Sequence, residues 1–224
     1  MATSTVENYL KELFAEQERE GQGNMVPMGR LAAAMGVVPG TATAMVKALA
    51  ESDLVEYEPR GGVRLTASGE RLALHVLRRH RLLELFLVKV LGMDWSVVHD
   101  EAETLEHAVS DQVLERIDAL LGHPTIDPHG DAIPTPKGHL HEPRRMSLAD
   151  CPTGVPQRIV RVLDEGKEFL QFIERTGLMP GSVVTVETRE PAAETVRIRI
   201  GHRNEIALGL AAAGKVLVEA PGQL

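Results

Sequence analysis

The chain has a single cysteine, Cys151, among 224 residues, so it can build neither a disulfide framework nor a cysteine-rich zinc site. Aromatic residues make up only 3% of it, too few for the stacking platforms of RNA-binding modules. No stretch approaches the roughly 18 apolar residues of a membrane span. The start, MATSTVENYLKELF, also lacks the basic-then-apolar order of an export signal. Positive charge is short as well: 24 Lys and Arg stand against 32 Asp and Glu, for a formal net charge of −8. Any contact with nucleic acid must therefore be local, or something must bring positive charge with it. These absences point to a reduced, cytoplasmic protein with no membrane role.

Three zones are visible along the chain. Residues 1–121 read as mostly helical with one turn-rich break. From about His123 to Pro156, HPTIDPHGDAIPTPKGHLHEPRRMSLADCPTGVP holds seven of the 13 prolines, which predicts a linker or extended arm. The irregularly spaced His123, His129, His139 and His141 read as solvated linker histidines. Beyond it lies a short helical run, DEGKEFLQFIERTG, and then GSVVTVETRE, TVRIRIG, EIALGL and KVLVEA. Brief β-branched runs between turn residues predict a small barrel or sandwich. GLAAAGKV, near the end, resembles a phosphate-binding loop but has Val216 where a magnesium-binding hydroxyl is required.

The turn-rich break has its own rhythm. A helix is predicted from Pro27 to Met35, ended by Gly36, and VVPG leads to a second helix from Thr41 to Ser52. LVEYEPRGGVRLT then reads as two short strands around a glycine turn. Helix, tight turn, helix and hairpin predict a winged helix-turn-helix, whose second helix enters the DNA major groove. Gly40, Thr41 and Thr43 suit close approach, Lys47 is the one basic residue of that helix, and Arg60 and Arg64 on the wing suit phosphates.

A second pattern is chemical. VHDEAETLEH places two histidines and four acids in ten positions. On a helix, His99, Glu103, Glu106 and His107 share one face about 100° wide, while Ala102, Leu105 and Val109 face away toward a core. The preceding helix, RRHRLLELF, puts His80 and Glu84 one turn apart, a spacing that lets an imidazole and a carboxylate hold one ion. Two such sets on successive helices predict divalent-metal binding.

With ENYLKELF, LTASGERLA, RRHRLLELFL, VHDEAETLEHAVSD and HPTIDPHGDAIP in place, residues 5–136 resemble the diphtheria-toxin-repressor family of iron- or manganese-dependent regulators. The tail, with GLMPGSVVTV, is similar to that family's SH3-like domain. The resemblance implies a mainly α fold with β, divided into a winged helix-turn-helix at 1–74, a helical metal-binding and dimerisation domain at 75–140, a linker at 141–152 and an SH3-like small barrel at 153–224. It implies two metal sites per chain, filled by Mn(II) or Fe(II). The primary site takes Asn8, Glu103, Glu106 and His107. The ancillary site takes His80, Glu84 and His99, with Glu165 or Glu168 from the tail. Oxygen and nitrogen donors without sulfur favour Mn(II) or Fe(II) over thiophilic metals, and the carboxylate at Glu103, as in the family's manganese-responsive members, leans the resemblance to manganese. Lys11 stands where some manganese-responsive members carry a second acid. The implied partners are a palindromic DNA operator and a second copy of the chain, with no organic substrate and no catalytic residue. Two rival readings stay open on the residues alone: a metallohydrolase, and a metal-binding adaptor for a protein partner.

Overall fold

The computed structural model describes residues 3–21, 24–141, 143, 145–201 and 204–222. Thr3 opens the first helix, α1 (Ser4–Glu20), its hydroxyl accepting from the Val6 amide that a helix start leaves unpaired. Tyr9, Leu10 and Leu13 recur at helical spacing and are buried. The helix α2 (Met28–Ala34) follows Pro27 and stops before Gly36, which adopts φ +63°. Pro39 occupies the first turn of α3 (Pro39–Glu51), so this helix begins two residues before the expected Thr41. The two helices meet at 104°, and β1 (Val55–Glu58) and β2 (Gly62–Leu65) follow as an antiparallel hairpin. A long helix, α4 (Ala67–Lys89), is followed by α5 (Val98–Leu105) and α6 (Asp111–Leu120), the last capped by Ser110.

The backbone forms two compact units, Met1–His80 with Pro134–Leu140, and Arg81–Ile133 with His141–Leu224. The first is built on Leu10, Leu13, Leu31, Val46, Leu49 and Val63, with Ala73 from α4. In the second, Leu83 and Leu87 of α4 pack with Val98, Ala102 and Ile117. Its larger core belongs to the tail, where α7 (Lys167–Thr176) lays Leu170 and Ile173 against Ile159, Val184, Ile198 and Val216.

That tail sheet comprises β3 (Met146–Ser147), β4 (Pro156–Val162), β5 (Val183–Glu190), β6 (Thr195–Ile200), β7 (Asn204–Gly209) and β8 (Val216–Glu219). The strands run antiparallel in the order β3-β8-β4-β5-β6-β7. Among the described residues no pairing joins β3 to β7, so the expected small barrel is an open sheet. A four-residue helix, α8 (Leu210–Ala213), links β7 to β8. Cys151 is fully buried beside this sheet, and burial pushes its thiol above the usual range. Among the described residues no single helix is long and apolar enough to cross a membrane.

The proline-rich segment is not the solvated arm expected of it. Ile126 bridges to Ala132, and Asp127, His129 and Asp131 between them are all buried. One oxygen of Asp127, Oδ1, accepts from the amides of His129 (2.8 Å) and Asp131 (2.9 Å) and closes a tight turn. Pro128 sits inside that turn, where no amide proton is needed, so its ring favours the fold instead of interrupting it.

Gly69 gives a sharp test of the packing in the first unit. Alanine normally stabilises a helix by about 1 kcal/mol relative to glycine. Here an added Cβ would stand 1.9 Å from the Leu54 carbonyl oxygen. Gly69→Ala is expected to lower stability by about 1–3 kcal/mol, measured as a drop in the urea midpoint.

Candidate metal centre

Glu84 is the hub. It projects from α4 with its carboxylate buried, and donors from three other segments reach it. Oε1 lies 3.3 Å from Nδ1 of His99, in the first turn of α5. The same His99 nitrogen is 3.0 Å from Oε2 of Glu165, in the loop between β4 and α7. Glu165 first and Glu84 second push the His99 pKa up to about 10, against the opposing effect of burial. Burial alone would raise Glu165, but its pairing with His99 holds it below its usual range. A cation, here an imidazolium, is what this pair of carboxylates draws in.

The other oxygen of Glu84, Oε2, is 3.9 Å from Nδ1 of His129. His129 is fully buried, stacked on Trp95 at 5.4 Å between ring centroids. Its Nε2 is 3.0 Å from the Trp95 carbonyl oxygen. A carbonyl oxygen only accepts, so Nε2 is the donor there and Nδ1 is the ring nitrogen turned toward Glu84. That nitrogen has no hydrogen bond, and neither has the buried Oδ2 of Asp127. Burial first, then the nearby Asp131 and Glu84 carboxylates, push the Asp127 carboxyl well above its usual range. Two carboxyl groups and an imidazole buried this close together form a donor set that a divalent ion fits. A histidine fixed by a backbone carbonyl on one nitrogen and open on the other is the arrangement of a metal ligand.

The donor atoms of Glu84, His99 and Glu165 lie within 4.8 Å of one another, as do those of Glu84, Asp127 and His129. The sequence alone leaves Glu165 and Glu168 as alternatives. The structure brings Glu165 to His99, whereas Glu168 lies exposed in the first turn of α7. His80 is buried on α4 one turn ahead of Glu84. Asp127 and His129 were missed because prolines on both sides suggested a linker. The signal was present in Asp-Pro-His-Gly-Asp, which pairs a turn-forming aspartate with a glycine at φ +91°.

Of the four residues expected on one face of α5, the helix brings only His99 and Glu103 together. Glu103 Oε1 is 3.9 Å from His99 Nε2, and Ala102 is buried on the other face. The helix itself ends at Leu105, with Glu106 as its C-cap and His107 in the following turn. Glu106 is fully buried, and its Oε1 lies 3.4 Å from His107 Nε2. In the N-terminal unit, Asn8 on α1 has its Oδ1 sealed from solvent without a hydrogen bond, which suits a donor to a metal.

The expected DNA-facing residues belong to that same unit. Gly40, Thr41 and Lys47 on α3 are exposed, and the Thr43 hydroxyl donates to the Pro39 carbonyl at 2.8 Å. Arg60 is exposed at the hairpin turn with φ +70°. Arg64, expected to meet phosphate, already has a partner: its Nε donates to Glu56, directly opposite on β1, at 2.8 Å.

Family models match the chain in three segments. The family model for the iron dependent repressor, N-terminal DNA binding domain, matches residues 1–63. That for the iron dependent repressor, metal binding and dimerisation domain, matches 66–135, and a FeoA domain matches 146–220. The chain is 31% identical over 213 residues to the iron-dependent repressor IdeR of Mycobacterium leprae (strain TN), covering 89% of this chain and 90% of that protein. It is 34% identical over 215 residues to the diphtheria toxin repressor of Corynebacterium jeikeium (strain K411), covering 85% and 88%. A solved manganese-dependent transcriptional repressor, in complex with manganese, matches with a TM-score of 0.86 at 39% identity, covering 96% of this chain and 99% of that one. Matched in all three segments and over nearly the full length of its relatives, the chain belongs to the diphtheria-toxin-repressor family of metal-dependent transcriptional repressors.

Proposed function

We propose that this protein is a homodimeric repressor that binds a palindromic operator when loaded with Mn(II) or Fe(II) and so controls metal homeostasis. The observation that carries the reading is the convergence, within 4.8 Å of one another, of donor atoms from the buried Glu84, Asp127 and His129. Burying several acids this close together is costly, and a divalent ion offsets that cost.

By the family resemblance, one ion takes Asn8, Glu103, Glu106 and His107. The second takes Glu84 with donors from His99, Glu165, Asp127 and His129, to which the resemblance adds His80. A bound divalent ion would add positive charge among these carboxylates. Every donor in both sets is oxygen or imidazole nitrogen, and Cys151 lies in neither, which favours Mn(II) or Fe(II) over thiophilic metals. Asn8 offers a neutral oxygen where a carboxylate would bind more tightly.

The regulatory logic is linkage. Glu103 and Glu106 repel each other when uncompensated, and the arrangement that gathers all the donors is favoured by whatever cation they hold. In that arrangement the α3 helices of a dimer sit one DNA turn apart, acting with the β1–β2 hairpin as a winged helix-turn-helix. Gly40, Thr41, Thr43 and Lys47 face the groove, and Arg60 and Arg64 the backbone. Val113 and Leu120 leave apolar surface exposed on α6 that suits pairing of two copies.

Mn(II) or Fe(II) is expected to raise affinity for genomic duplex fragments steeply in a gel-shift titration; equal retention in excess chelator would end the reading. Glu106→Gln and His107→Ala are expected to abolish that metal response while circular dichroism stays unchanged. Glu56→Gln releases Arg64 for phosphate. It is expected to tighten duplex binding by about two- to fivefold and to steepen the salt dependence of log K by about one. The second ion has an optical test, since the sole tryptophan, Trp95, stacks on His129. Titrated Mn(II) is expected to quench Trp95 emission, and Glu84→Gln to remove the response at low concentration.

A further inference from the structure

Asp127 and His129 reach Glu84 from a turn that has little stiffness of its own. Residues 126–132 carry two glycine-or-proline positions and no helix or strand, only the single bridge between Ile126 and Ala132. What fixes the turn lies outside it. On one side, Arg81 of α4 donates to Asp131 Oδ1 at 2.9 Å and also to the Ala132 carbonyl. On the other, Arg161 of β4 pairs with the same Asp131 oxygen. All of these residues belong to the second compact unit.

Asp131 is therefore held by two guanidinium groups at a buried position, and its backbone is part of the ligand turn. Its amide donates to Asp127 Oδ1, and its carbonyl accepts from the Asp127 amide at 2.9 Å. The first of these bonds occupies one oxygen of the Asp127 carboxylate, while the other, Oδ2, makes no hydrogen bond. The turn is also seated on β4, where the Val162 amide donates to the His129 carbonyl at 2.9 Å. Gly130 packs so closely there that a Cβ would stand 1.9 Å from the Val160 carbonyl oxygen.

Arg81 has a second relation to the site, because its Nε lies 3.8 Å from Asp127 Oδ2. A guanidinium that close competes with an ion for the oxygen. Its stronger, hydrogen-bonded partner is Asp131, which takes Arg81 charge away from the ligand. An ordinary structural salt bridge could sit anywhere in the unit. This one joins the two elements that flank the ligand turn, through a residue whose own amide orients the ligand.

We propose that Asp131 is the positioning residue of the second metal site: anchored by Arg81 and Arg161, it presents Asp127 Oδ2 and His129 Nδ1 to the ion. The proposal rests on the reading that Glu84, Asp127 and His129 hold an ion. It makes α4 and β4 joint determinants of affinity although Arg81 and Arg161 supply no ligand atom. Outer residues that orient metal ligands typically govern affinity by about ten- to hundredfold.

The test uses the full chain and Mn(II) alone, with Trp95 emission reporting the second site. Asp131→Asn, nearly isosteric, is expected to raise the half-saturating Mn(II) concentration about ten- to hundredfold. Arg161→Gln, at a partly exposed position, is expected to do the same. The double variant should lose no more than the weaker-binding single variant, because the two residues act as one unit. Metal-free melting is followed in parallel, since a merely structural salt bridge would lower the melting midpoint and leave Mn(II) affinity of the folded protein untouched. Wild-type half-saturation in Asp131→Asn, or losses that add in the double variant, overturns the proposal. A wild-type Trp95 signal that ignores Mn(II) altogether removes the second site itself, and is thereby distinguished from a failure of Asp131 alone.

Discussion

Burial of the Glu84 carboxylate sets the terms for the rest of the second unit. An isolated carboxylate sealed from water is costly, and additional acids nearby make it more so. The fold nevertheless converges Glu165 and Asp127 on it, together with the imidazoles of His99 and His129. Polypeptide chains keep such an arrangement where a cation completes it. The elements of this unit follow from that need: α4 supplies the hub, α5 and the β4–α7 loop deliver one flank, and the 126–132 turn delivers the other. The tail thus reaches the acidic cluster directly, through Glu165 in the β4–α7 loop and through the grip of β4 on the turn.

The division of labour between helix and loop explains how much could be read without coordinates. Periodicity at 3.6 residues made His99, Glu103 and Ala102 assignable to opposite faces of α5, because helix geometry converts sequence spacing directly into direction. The helix pair and hairpin of the N-terminal unit were legible from their punctuation, Pro27, Gly36 and the glycine turn, although α3 starts at Pro39 and not at the expected Thr41. Glu165 could be narrowed only to a pair, since loop residues carry no periodicity. Its choice over Glu168 depends on where β4 ends and α7 begins.

His129 and Asp127 show the opposite case. Proline density argued for an arm, and the argument fails because proline excludes helix and central strand but not a compact turn. The burial of this segment depends on Arg81 and Arg161, which are 46 and more residues away in one direction and about 30 in the other. No local pattern encodes such convergence. Sheet closure was illegible for a similar reason: alternating β-branched runs specify strands, whereas the pairing of the first strand with the last depends on register and length. Here β3 has two residues, too few to complete a barrel wall.

The contact between Gly130 and the Val160 carbonyl carries a consequence for descent. A side chain there would have to sacrifice either the left-handed turn or its seat against the strand, and both donors of the turn would move together. Lineages that abandon this glycine should therefore lose the aspartate and histidine as a block, while the α5 cluster evolves independently. One achiral position thereby marks which descendants inherit the buried half of the pocket.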